Sequence, residues 1–187
     1  MHVKQAQTIN PIYIAFGANL SNPKSTFKAA IQALEENGVN LVKISGLWQS
    51  PAWPAGEGQP DYINACAQIE YVGQARQLLN VLHEVEAQLG RVRGIRNAAR
   101  TLDLDLLDFR GQIIQEQSVQ EQNLEGNLSN THMIIPHPRM LTRGFVLFPL
   151  SEIAPNWQDP VLALSIEAHI AKLPLCDVAP MRWLGGL

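Results

Sequence analysis

Apolar residues along the chain fall into two spacings, and the expected elements follow from them. Pro11 to Phe16 reads as a buried strand ending at Gly17-Ala18-Asn19-Leu20. Ser21 to Ser25 carries helix-start signals, with Pro23 in the first turn. Phe27, Ala30, Ile31 and Leu34 then keep helical spacing until Asn37-Gly38 stops the helix. A second strand is expected from about Asn40 to Gln49, with Leu41, Ile44 and Leu47 among its apolar positions. Pro51, Pro54, Gly56, Gly58 and Pro60 mark an irregular loop, and Tyr62 to Tyr71 alternates as a third strand. Gln74 to Leu89 gives the clearest helix: Leu78, Leu79, Leu82, Val85 and Leu89 form a stripe with Glu86 on its edge, closed by Gly90.

Thr101 to Phe109 alternates again, so Leu102, Leu104 and Leu106 should face a core and leave Asp103 and Asp105 side by side on the other face. Gln115 to Asn130 is rich in Gln, Asn and Glu with little apolar content and reads as a mobile loop insertion. Phe145 to Ile153 has helical spacing, and Leu162 to Leu173 suggests a last amphipathic helix. The order strand–helix–strand–strand–helix–strand is the split β-α-β, ferredoxin-like arrangement. It predicts an α+β fold, a mainly antiparallel sheet with helices packed on it. The 187 residues suit one domain, with residues 1–10 as a flexible N-terminal segment.

The paired acids change the picture. Strands disfavour Asp, and neighbouring carboxylates repel unless a cation lies between them, which suits a magnesium site. An edge strand wearing charges against aggregation is the other reading of the same stretch. Just upstream, Arg91, Arg93, Arg96 and Arg100 follow one another with no acid between them. Guanidinium forks bind phosphate oxygens bidentately, so arginines leading into an Asp pair suggest phosphates bridged to metal. No Gly-x-x-x-x-Gly-Lys-Ser/Thr loop occurs, so a nucleotide would have to be held this way. The net charge of −3 argues against general nucleic-acid binding. Cys66 and Cys176 form no metal or disulfide pattern, and the polar first ten residues lack the core of a signal peptide. With no apolar run long enough to span a bilayer, the expectation is a cytoplasmic protein, a monomer with no nucleic-acid or membrane partner.

Five ordered segments now carry a resemblance: Phe16-Gly17-Ala18-Asn19-Leu20, Gln59 to Ala65, Glu86 to Arg93, Arg100 to Asp105, and Pro136-His137-Pro138-Arg139 with Arg143-Gly144-Phe145. In this order they resemble the 6-hydroxymethyl-7,8-dihydropterin pyrophosphokinase family, over about Ile12 to Leu173. The resemblance implies transfer of pyrophosphate from ATP to a pterin hydroxymethyl in folate biosynthesis, with release of AMP. It implies that Asp103 and Asp105 hold two Mg2+ ions, and that Arg93 and Arg100 act with them in catalysis. His83, Glu86, Arg91, Arg93, Arg100, Leu106, Ile134, His137 and Arg143 would line the ATP site, and Ser50, Pro51, Trp53, Tyr62, Asn64 and Phe145 the pterin site.

The chemistry of these residue types agrees. A flat polar heterocycle needs aromatic faces and a few donors and acceptors. Departures lie at Asn97, where the family commonly has Trp, at Ala98-Ala99 in place of Gly-Pro, and at Ala18 where Ser is usual. Two other readings stay open: a magnesium-dependent phosphohydrolase or nucleotidyltransferase, which needs the acids and arginines alone, and a non-catalytic ferredoxin-like binding module.

Overall fold

The computed structural model describes residues 10–52, 58–91, 99–122 and 128–187, and the side chains of these except at 117–122 and 128–132. Trp53, Arg93, Arg96, Asn97 and Ala98 lie outside the described residues, as do residues 1–9. Strand β1 (Ile12–Ala18) leads into α1 (Pro23–Glu36), β2 (Val39–Ile44), β3 (Leu47–Ser50), β4 (Tyr62–Tyr71), α2 (Ala75–Gln88) and β5 (Asp103–Phe109). The main sheet runs β5-β1-β4-β3, with β2 also on β4, all antiparallel, which is the expected split β-α-β order. Asn22 caps α1 by accepting the Ser25 N–H at 3.2 Å, and Pro23 sits in its first turn as the sequence suggested.

Helices α1 and α2 cover one face. Phe27, Ala30 and Leu34 of α1 and Leu78, Leu82 and Val85 of α2 bury against Ile12, Ile14, Phe16, Leu102, Leu104 and Leu106. The other face is covered in part as well. A single 3-10 turn (Met140–Thr142), α3 (Gly144–Ile153) and α4 (Ile166–Ile170) pack Met140, Val146, Leu147, Leu150 and Ile166 onto Tyr13, Ala15, Cys66 and Leu107. Burial on both sides explains why β1 reads as a continuous apolar run. Trp157 fastens this second layer: its Nε1–H donates to the buried Asp108 carboxylate at 2.7 Å, whose other oxygen takes the Gly111 N–H at 2.7 Å. Trp157→Phe should therefore destabilise the protein by about 1–3 kcal/mol in urea unfolding, the cost of a buried acceptor left short of a donor. An unchanged midpoint would mean that packing alone holds this layer.

Three expectations need correction. The described residues of the Gln115 to Asn130 stretch are strand rather than loop: β6 (Ile114–Gln122) and β7 (Leu128–Ile135) pair as an antiparallel hairpin. Its base is anchored by Met133 and Ile135 in the core, and its backbone ladder needs no apolar periodicity, so a polar composition hid it. The second strand is two strands broken at Ser45-Gly46, where Trp183 lies so close that a Cβ on Gly46 would meet its Nε1 at 2.2 Å. The last helix is shorter than Leu162–Leu173. It starts only at the Ser165 cap, because Gln158 bridges to Ser165 and Ala163 takes φ +54. Beyond it, the unforeseen α5 (Leu175–Val178) and β8 (Arg182–Gly185) close the chain, with β8 pairing on β3. No helix among the described residues is long and apolar enough to cross a membrane.

Candidate active site

Antiparallel register assembles the site in rows. Gly17 of β1 lies between Asn64 of β4 and Asp103 of β5; two residues along, Ala15 lies between Cys66 and Asp105. Residues two apart share a face, so both acids look out from the sheet beside Asn64, over a floor of small residues. A Cβ at Gly17 would lie 3.7 Å from Asn64 Oδ1, 3.7 Å from Asp103 Cβ and 4.0 Å from Tyr62 Cδ1. Those three side chains thus surround one open position.

Strand β5 is the sheet's edge, so the charge-decorated-edge reading is right about topology. The edge also gives the site its cations. Arg91, just past the C-terminus of α2, reaches round β5 from the other face, and its guanidinium lies 2.8 Å from Asp103 Oδ1. Arg100 pairs with the other Asp103 oxygen. Glu86 is buried at 1% exposure, pairs with Arg91, and accepts the Leu104 N–H at 2.7 Å. It therefore satisfies the unpaired backbone of the edge strand and braces Arg91, which is a supporting place rather than a ligand-facing one.

On the other side of Asp105, the hairpin delivers His137 through the cis Ile135–Pro136 bond, with the His137 N–H donating to Leu107 O at 2.8 Å. His137 Nε2 stands 4.0 Å from Asp105 Oδ1. Burial, then the charge of Asp103, raises the Asp105 carboxyl above the ordinary range, against the pull of His137, Arg143 and Arg91. Burial lowers His137, with Arg143 and Arg139 acting the same way and Asp105 opposing. Tyr62 is raised, chiefly by burial.

Of the remaining expected residues, Ser50 is buried and pairs in register with Tyr62, while Pro51 is exposed next to it. Arg143 lies with its guanidinium carbon 5.2 Å from the Phe145 ring centroid, so one face of that ring is already covered. His83 and Ile134 are half-buried on α2 and β7. Leu106 is not a surface residue at all: it is 3% exposed in the core under the helices. Arg93 and Trp53 remain outside the described residues.

Asn19 is a contributor that went unassigned beyond its motif. Its Oδ1 accepts the Arg100 N–H at 2.7 Å, and its Nδ2 donates to Pro60 O at 3.1 Å and Gln59 Oε1 at 3.4 Å. One buried amide thus joins the proline loop to the arginine that holds Asp103. An Asn directly after a buried strand was the signal available for it.

No group of three or more His, Cys, Asp or Glu able to hold a metal occurs among the described residues. Two carboxylates on one face, one of them resisting ionisation beside the other, still fit a hard divalent cation. Magnesium is usually held by one or two carboxylates plus substrate phosphates and water. The donor set therefore suits an ion that arrives with its nucleotide.

The model of the 7,8-dihydro-6-hydroxymethylpterin-pyrophosphokinase family matches residues 13–155. The 2-amino-4-hydroxy-6-hydroxymethyldihydropteridine pyrophosphokinase of Haemophilus influenzae is 40% identical over 76% of this chain and 80% of its own length. The Synechocystis enzyme of the same name is 34% identical over 92% and 83%. The folic acid synthesis protein fol1 of Pneumocystis carinii is 32% identical over 96% of this chain, which spans only 23% of that longer protein. A crystal structure of Plasmodium falciparum HPPK-DHPS shares the fold at TM-score 0.67 and 14% identity, over 87% of this chain and 41% of its own.

Proposed function

The chain belongs to the 6-hydroxymethyl-7,8-dihydropterin pyrophosphokinase family, and from that premise we propose that it transfers pyrophosphate from ATP to 6-hydroxymethyl-7,8-dihydropterin in folate biosynthesis. The hydroxymethyl oxygen bonds to the β-phosphorus as the bond from that phosphorus to the α-phosphate oxygen breaks, and AMP leaves. The observation that carries this reading is the Gly17 row, which sets Asn64 and Tyr62 against Asp103 across one small residue. A pterin between Tyr62 and Asn64 would thus have its hydroxymethyl close to the acids that hold the triphosphate.

Within that reading each residue has a task. Asp103 and Asp105 would hold two magnesium ions brought with ATP, whose charge would offset that of the phosphates at transfer. Arg91 and Arg100, already gathered on Asp103, turn their remaining donors to phosphate oxygens, with Arg143 completing the cationic side and His137 offering a hydrogen bond from its ring. Arg93 is proposed alongside them on sequence grounds. Tyr62 and Phe145 offer ring faces, and Asn64 and Ser50 orient the heterocycle. We further propose that the protein acts as a cytoplasmic monomer on these small molecules alone.

AMP formation from MgATP, with and without the pterin, tests the reading. Pterin-dependent AMP release matched by pterin diphosphate is expected. Release of ADP or of free pyrophosphate instead would replace it with the hydrolase or nucleotidyltransferase.

A further inference from the structure

The break between β2 and β3 is held from outside the sheet. Glu152, on the exposed side of α3, reaches it with both oxygens: Oε2 accepts the Gly46 N–H at 2.7 Å and Oε1 accepts the Trp48 Nε1–H at 2.8 Å. One turn earlier on α3, Phe148 stacks on the Trp48 ring with centroids 5.3 Å apart and planes 22° apart. Strand β3 is thereby clamped to a helix about a hundred residues further along the chain.

The clamped residue holds Asn64. Asn64 Nδ2 donates to the Trp48 carbonyl at 3.2 Å and to Ser50 Oγ at 3.0 Å. A backbone carbonyl only accepts, so the amide atom beside it must be the nitrogen, and the orientation of the carboxamide is fixed. With both N–H groups engaged, Oδ1 is the atom presented over Gly17 to the cleft. The site thus offers an acceptor, which selects a ring edge that donates.

We propose that Glu152 is a positioning residue for the pterin: by fixing Trp48 and the strand break, it keeps Asn64 acceptor-first toward the cleft. The identity of the ligand rests on the function proposed above; the link from Glu152 to Asn64 does not. An ionised carboxylate is acceptor-only, and both of its oxygens meet a donor here. Glu152→Gln keeps the shape but sets an NH2 group against one of those donors.

The test uses the full chain, with E152Q and Trp48→Phe as variants and the double variant beside them. The Asn64 side-chain NH2 resonances should shift and exchange faster with solvent in E152Q. The Kd for the pterin should rise about tenfold, the equivalent of one lost hydrogen bond, while that for a non-hydrolysable ATP analogue stays within about twofold. The double variant should be no weaker than the weaker single one, because both act through one contact. Unmoved Asn64 resonances, or pterin and nucleotide affinities falling together, would overturn the proposal. A wild-type chain that binds no pterin would sink the substrate reading alone, and the Asn64 resonances would still decide the Glu152 link.

Discussion

Asp105→Ala is expected to lower pyrophosphoryl transfer by a factor on the order of a thousand or more, since a metal at a transferring phosphorus contributes several kcal/mol of charge stabilisation. The same substitution should leave the fold intact, and the sign of its effect on stability can be worked out. The Asp105 carboxyl is raised by burial and by Asp103, so the folded chain keeps its proton at pH values where the unfolded chain has lost it. Stability of the metal-free protein therefore falls as pH rises through the folded pKa. Once ionised, Asp105 opposes folding, so removing it should leave Tm equal or higher on the alkaline side of that titration.

If the pair holds magnesium as proposed, the ion should reverse that balance, because it would bind the ionised form. Wild-type Tm should rise with added magnesium, more in mildly alkaline than in mildly acid buffer, whereas Asp105→Ala should respond little at any pH. Thermal melts with and without magnesium, set beside AMP assays, check both halves. An Asp105→Ala protein that keeps its activity, or that still gains stability from magnesium as the wild type does, would refute the metal assignment.

Parts of this site could be read from the chain because their signals are local. Alternation from Thr101 to Phe109 needs only the pleat of a strand, and the structure puts Leu102, Leu104 and Leu106 in the core with Asp103 and Asp105 opposite, as expected. Tyr62–Tyr71 and the helix after Gln74 were bounded by equally local turn and cap residues. What could not be read is set by who neighbours whom. That β5 is an edge strand follows from the strand order, and only then does Glu86 have a reason to be buried: it serves the Leu104 N–H that no strand pairs. The bonds from Asn19 to Pro60 and Arg100 join residues 41 and 81 positions apart, and no periodicity encodes them. Trp48 packs its ring on Phe148, but its indole N–H and carbonyl, which tie α3 to Asn64, leave no trace in a hydrophobic pattern. The hairpin at 114–135 is the converse case, where backbone pairing made strands from a polar segment.

Gly17→Val should remove about a hundredfold or more from kcat/KM for the pterin, since shifts of about an ångström at a reacting centre cost that much. A Cβ alone at this position would sit at ordinary contact distances of 3.7 to 4.0 Å from Asn64, Asp103 and Tyr62. Gly17→Ala should accordingly be tolerated with a small loss. The two γ-methyl groups of valine would extend beyond that contact shell into the space between the Asn64 acceptor and the Asp103 carboxylate, where the substrate is proposed to lie. Stability should move the other way. Gly17 lies inside a central strand paired on both sides, where a β-branched residue is favoured over glycine by up to about 1 kcal/mol. A graded series of Gly, Ala and Val that loses activity while Tm holds or rises would locate the cleft over the Gly17 row. A Gly17→Val enzyme with wild-type kcat/KM would place the pterin elsewhere on the protein.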